Sequence, residues 1–144
     1  MRQVAGCAMW LGNAGDLRDA RAVLATGVEA VVELADCDQL AVLPRELIRC
    51  RFPLSDGGDN PAWLLRLAAE SVAALLRAGV PVAICCSAGM SRSVCVAAAG
   101  IALAHGQSLT ESLLAVVGTG PADVSPGLWL QMKQALQGQV ADSK

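Results

Sequence analysis

Tyrosine is absent from this chain, phenylalanine occurs once, and aromatic residues total 3%. A core built on large rings is therefore excluded, and material for an aromatic wall against a flat ligand is scarce. Of the three tryptophans, Trp63 and Trp129 are the candidates for such a wall, and both fit helix-packing positions. Histidine also occurs once, as His105, and no C-x2-C pair is present, so nothing supports a metal site. His105 precedes Gly106 at the end of an apolar helical pattern, which suits a helix C-terminus better than a catalytic base. The net charge of -2 leaves no electrostatic footprint for nucleic acid, and no block of like charges forms a tail. No apolar run is long enough to span a membrane. Val4-Ala-Gly-Cys7 matches a lipoprotein cleavage box by its letters, but no charged region or useful hydrophobic stretch precedes it. The chain therefore reads as cytoplasmic, with no membrane and no nucleic acid among its partners.

What the chain has is a small-residue apolar core. Its 144 residues are 54% hydrophobic, mostly Ala, Val and Leu, which suits a single domain over residues 1–144. Cys7, Cys37, Cys50, Cys85, Cys86 and Cys95 form no disulfide framework. They read mainly as free, core-type cysteines.

The pattern alternates. Short strands are expected at Gln3–Ala5 and Ala8–Leu11, then a helix over Asp16–Thr26 stopped by Gly27, and a Val-rich strand over Val28–Leu34. Gln39–Arg45 reads as irregular or as a short helix around Pro44, and Leu47–Phe52 as a strand. A long amphipathic helix should run from Pro61 to Ala78, with Pro at its first turn and Gly79 after its end. A central strand over Val80–Cys85 and helices at Ser91–His105, Leu109–Val117 and Ser125–Gln137 complete the series. Alternation of this kind predicts an α/β fold, with a central, mostly parallel sheet flanked by helices.

The most informative stretch is Cys85-Cys-Ser-Ala-Gly-Met-Ser-Arg-Ser93. Five residues separate Cys86 from Arg92 (C-x5-R), with a strand pattern before them and a helix pattern after. A strand end, a small-residue loop and a helix start turn backbone N–H groups toward one point, beside the positive end of a helix dipole. Such a cradle holds a tetrahedral oxyanion over a thiolate, and suits attack of sulfur on a phosphate ester. Cys86 must ionise to attack, which the helix terminus and Arg92 favour. Arg92 offers a planar fork for two phosphate oxygens. Gly89 permits backbone angles closed to other residues. Ser93 is placed to hydrogen-bond the sulfur and improve it as a leaving group. The phosphate-binding set is thus Ser87, Ala88, Gly89, Met90, Ser91 and Arg92.

Cys86-Ser-Ala-Gly-Met-Ser-Arg-Ser93 resembles the signature loop of the dual-specificity protein phosphatases, within the Cys-dependent protein tyrosine phosphatase superfamily. The likeness extends to Leu11-Gly12-Asn13-Ala14-Gly15-Asp16 near the N-terminus. It also takes in Phe52-Pro-Leu-Ser-Asp56-Gly-Gly-Asp-Asn60, which is similar to the family's general-acid loop. About residues 8 to 136 follow the family's order of elements. One departure is plain: the family usually carries His immediately before the nucleophile, and this chain carries Cys85.

The resemblance implies a metal-independent phosphatase with no cofactor. Its catalytic residues would be Cys86, Arg92, Asp56 and Ser93, working through a phosphocysteine. A carboxylic acid is needed to protonate the leaving oxygen. Asp56 matches the acid by motif. Asp59 is the nearby competitor, better read as a turn residue or, with Asn60 and Pro61, as a helix cap. The loop has no Lys of the kind that inositol-phospholipid phosphatases of the superfamily often add. A singly phosphorylated substrate is therefore expected, a phosphorylated protein or peptide first and a small phosphate ester second. Two alternatives stand beside this reading: a phosphate-binding pseudophosphatase without turnover, and a rhodanese-type sulfurtransferase. Cys86 is expected to be an accessible, low-pKa thiol. Cys85 and Cys50 are its candidate redox partners, Cys50 because its strand would lie beside that of Cys85.

Overall fold

The computed structural model describes residues 1–36 and 40–141; Cys37 and Gln39 lie outside the described residues. Five strands form one sheet: β1 (Arg2–Gln3), β2 (Met9–Asn13), β3 (Ala30–Ala35), β4 (Ile48–Leu54) and β5 (Val82–Cys86). Their spatial order is β1-β2-β5-β3-β4. Only β1 runs antiparallel to its neighbour; the β2–β5, β5–β3 and β3–β4 pairs are parallel. The α/β architecture read from the sequence is the one observed.

Among the described residues, five helices accompany the sheet: α1 (Ala20–Ala25), α2 (Ala62–Arg77), α3 (Arg92–His105), α4 (Leu109–Val117) and α5 (Pro126–Ala135). They divide unequally between its two faces. Ile84 and Cys86 of β5 share one core with buried residues of α2, α3, α4 and α5. Ala83 and Cys85, alternating with them, face a smaller core of Leu17, Val23, Val28 and Val31 on the α1 side. Period-two alternation thus sends the two adjacent cysteines to opposite faces.

The helix α3 explains itself from composition. Nearly every residue from Arg92 to Ala102 is buried, as expected of a helix apolar all round. Each of Ile84, Val94 and Ile101 is buried, contributing about 1.5–3 kcal/mol. A Cβ at Gly100 would stand 2.3 Å from Val72 Cγ1, so α2 and α3 approach this closely only because position 100 has no side chain.

Several boundaries differ from expectation. The helix expected over Asp16–Thr26 is split into a 3-10 turn at Asp16–Arg18 and α1. Both aspartates prefer local backbone partners: Asn13 N donates to Asp16 Oδ2 at 2.9 Å, and Ala22 N donates to Asp19 Oδ1 at 3.1 Å. The strand β4 continues through Pro53, which an edge strand tolerates because one side of it needs no ladder. Residues 40–45 form neither helix nor strand. The helix α2 is capped by Pro61 without a side-chain bond, so the cap expected from Asp59 and Asn60 does not form.

The strand order also corrects the placement of Cys50. Cys50 lies beside Val32 of β3, and Val32 lies beside Ile84 of β5. Two strand spacings amount to about 9–10 Å, against a Cα separation of about 5.5–6 Å for a disulfide. The expected adjacency of the Cys50 and Cys85 strands is absent because β3 intervenes.

Candidate active site

Three parallel strands end together, and each delivers a part of the site. Cys86 is the last residue of β5, Leu54 is the last of β4, and Asp36 directly follows β3. The C-terminal edge of a parallel sheet is where such folds bind ligands. From Cys86 the chain makes a tight loop and enters α3 at Arg92.

The loop depends on Gly89, which has φ +75° and lies against β2. A Cβ there would stand 3.0 Å from both Gly12 C and Gly12 O. With that conformation, Gly89 N donates to Cys86 Sγ at 3.2 Å. Cys86 Sγ and Ser93 Oγ are hydrogen-bonded at 3.4 Å. Burial pushes the Cys86 thiol up. The Ser93 hydroxyl and the N–H groups of Ser93, Gly89 and Ser91 outweigh that burial, so the thiol ends below its ordinary value. Cys86 itself is only 2% exposed, so the accessible thiol expected from sequence is instead reached through a cleft.

Arg92 is 6% exposed, and its guanidinium is gripped from below. Nη1 donates to Asp36 Oδ1 at 3.0 Å and to Leu54 O at 2.9 Å, while Nη2 donates to Ser87 Oγ at 2.8 Å. Nε is buried with no partner. A buried donor left unpaired costs about 1–3 kcal/mol. An oxyanion in the loop would remove that cost, since Nε with Nη2 is the edge of a guanidinium fork that can take one bidentately.

Asp56 reaches the loop from the segment after β4. The Ser91 hydroxyl donates to Asp56 Oδ1 at 2.6 Å, and Ser125 N donates to Ser91 Oγ at 3.0 Å. Asn60 shapes the segment that carries Asp56. Its Oδ1 accepts from Ser55 N at 2.8 Å, and its Nδ2 donates to Ser55 O at 2.9 Å and to Gln131 Oε1 of α5 at 3.2 Å. Asp59 is exposed at φ 72°, a turn position. Of the two aspartates, only Asp56 lines the cleft.

The cleft has a volume of about 250 Å³. Cys86, Ser87, Ala88, Met90, Ser91 and Arg92 line it, together with Asp56 and Asp123. Gly89 instead borders a hollow of about 310 Å³ against β2, which holds no nucleophile. The structure therefore brings Cys86, Arg92, Asp56 and Ser93 together around one loop. It sends Cys85 to the other face, where burial first, then Asp16, Cys86 and Glu33, push its thiol up to about 12. Three participants escaped sequence reasoning: Asp36 under Arg92, the Asn60–Gln131 clamp, and Asp123. Asp36 carries a signal in retrospect, as an acid directly after a Val-rich strand.

No protein-family profile matches the sequence, and no curated protein matches it. Solved structures do. Human DUSP28 superposes with a TM-score of 0.82 at 24% identity, covering 94% of each chain. A mouse putative dual specificity phosphatase complexed with zinc tungstate gives 0.83 at 24% identity, over 96% of this chain and 89% of that one. DUSP15 gives 0.78 at 21% identity, over 96% and 88%. The fold on which this chain arranges its Cys86–Arg92 loop is that of the dual-specificity phosphatases.

Proposed function

We propose that this protein is a cysteine-dependent phosphatase that hydrolyses phosphate monoesters, phosphorylated Tyr, Ser or Thr side chains in particular. One observation carries the reading. A sulfur whose ionised form is stabilised by Ser93 and loop amides shares a cleft with a buried Arg92 whose Nε lacks a partner. The Cys86 thiolate attacks phosphorus, and the bond from phosphorus to the leaving oxygen breaks. The loop amides and Arg92 hold the equatorial oxygens, and Asp56 gives its proton to the leaving oxygen. The product is a phosphocysteine. Water then attacks phosphorus, the Asp56 carboxylate takes the water's proton, and the thiolate departs toward the Ser93 hydroxyl with release of inorganic phosphate. Positive charge and oriented N–H groups come from the chain itself, so the scheme uses no metal or cofactor.

Purified protein should hydrolyse an aryl phosphate in the presence of chelator. Cys86→Ser should lose nearly all turnover yet still bind vanadate, and Arg92→Ala should lose both. Turnover retained in Cys86→Ser refutes the cysteine mechanism.

The pseudophosphatase reading keeps one observation in its favour. Cys85, standing where the resembled family has His, points away from the loop with its thiol raised, so it gives Cys86 no support. Vanadate binding with neither a burst of leaving group nor a steady-state rate would identify that case. The sulfurtransferase alternative has no observation in its favour. Cyanide-dependent consumption of thiosulfate is its test.

A further inference from the structure

The cleft above the phosphate loop is electrostatically divided. Its lining includes one cation, Arg92, already engaged by Asp36 and with a buried, unpartnered Nε. At its mouth stand two exposed acidic residues, Asp56 and Asp123, beside the half-exposed Met90. Arg92 is the sole basic residue in the lining among the described residues.

Asp123 is not a loose surface acid. Its own N–H donates to Met90 O at 2.8 Å. Two residues on, Ser125 N donates to Ser91 Oγ at 3.0 Å. Two hydrogen bonds therefore latch the segment before α5 onto the phosphate loop and hold the Asp123 backbone at the rim. Asp123 takes part in none of the ion pairs among the described residues. Its charge is therefore available to a ligand.

From this geometry we infer that Asp123 is a specificity residue, and that it selects phosphorylated peptides with a Lys or Arg next to the phosphorylated residue. The inference rests on the phosphatase reading of the site and narrows its substrate class. A phosphoryl group seated on Arg92 brings its neighbouring groups to the mouth, where the Asp123 carboxylate attracts a cation and repels an anion; Asp56, protonated as the acid of the proposed reaction, adds no charge when substrate binds. Acidic peptides and ligands with several phosphates meet like charge there. A volume of about 250 Å³ admits a phosphoryl group and its side chain, leaving flanking residues at the rim.

The experiment compares two phosphopeptides that differ only in a flanking Lys or Glu, with an inositol polyphosphate as a third ligand. Exposed charge pairs each change affinity by a few-fold, so replacing attraction by repulsion should separate the peptides by about tenfold in kcat/KM, mostly through KM. The ratio should fall to about twofold in Asp123→Asn, invert in Asp123→Lys, and persist in Asp123→Glu. In the wild type it should shrink toward unity near 1 M salt, where the screening length is about 3 Å. That measurement needs no variant. Binding of the same ligands to Cys86→Ser reads charge preference without turnover. If neither peptide is hydrolysed but Cys86→Ser prefers the Lys peptide through Asp123, the phosphatase reading fails and the specificity assignment stands. Equal kcat/KM for both peptides, a ratio insensitive to Asp123 and salt, or a preference for the inositol polyphosphate overturns it.

Discussion

Replacing Gly89 by Ala puts a methyl group where the loop has no room and no suitable backbone angle. The left-handed conformation, φ +75°, costs a non-glycine residue about 1–2 kcal/mol. The new Cβ would also lie 3.0 Å from Gly12 C and O and 3.3 Å from Asn13 N. These are backbone atoms of β2, so no rotamer change relieves the contact. Overpacking of this sort costs about 1–3 kcal/mol more, for a total loss of roughly 2–5 kcal/mol. The loop is the weaker partner and should move by several tenths of an ångström. Gly89 N then loses its 3.2 Å bond to Cys86 Sγ, and the oxyanion cradle opens. Misplacement on that scale costs up to about 100-fold in rate. Urea unfolding followed by tryptophan fluorescence measures the stability, and kcat/KM on an aryl phosphate with vanadate affinity measures the cradle. Gly58→Ala is the control, because nothing lies within 4 Å of its Cβ and its φ is unexceptional. If Gly89→Ala loses no more stability than Gly58→Ala and binds vanadate like the wild type, the loop argument is wrong.

The remaining expectations concern the acid and the thiols. Asp56→Ala should slow esters with poor leaving groups by about 100-fold or more, spare good ones, and flatten the basic limb of the pH–rate profile; the same pattern in Asp59→Ala instead would reassign the acid. Ser93→Ala removes the hydroxyl that lowers the Cys86 thiol, so iodoacetamide should alkylate Cys86 more slowly at pH values below the ordinary thiol value of 9.0; an unchanged rate would show that the amides suffice. Burial raises Cys85 from an ordinary 9.0 to about 12, so between these values the unfolded chain has lost a proton that the folded chain keeps. Stability should therefore fall above pH 9 by about 1.4 kcal/mol per pH unit for each such thiol. Cys95 is raised by burial in the same sense. Urea midpoints for Cys85→Ala should decline less steeply. Peroxide should oxidise Cys86 to sulfinic acid with no link to Cys50 or Cys85, because one lies two strands away and the other on the opposite face. A mapped Cys86 disulfide to either residue would refute that geometry.

The sequence by itself determined the alternation of strands and helices, and with it the parallel sheet. It also located the Cys86–Arg92 loop, because that loop is local. A strand end, a glycine and a helix start lie within a few residues of one another, and their conformations follow from short-range sterics. Asp56 was legible for a different reason, through a motif that a single segment carries. Only the tertiary structure decided what meets across distance. Asp36 reaches Arg92 because β3 ends level with β5. Asn60 closes the Asp56 segment because α5 brings Gln131 to it. Asp123 stands at the cleft because Met90 and Ser91 latch the chain before α5. The separation of Cys50 from Cys86 follows from strand order, which periodicity along one strand does not encode. Local backbone preference is written in neighbouring residues, whereas the order of strands is settled by burying two faces of unequal size at once.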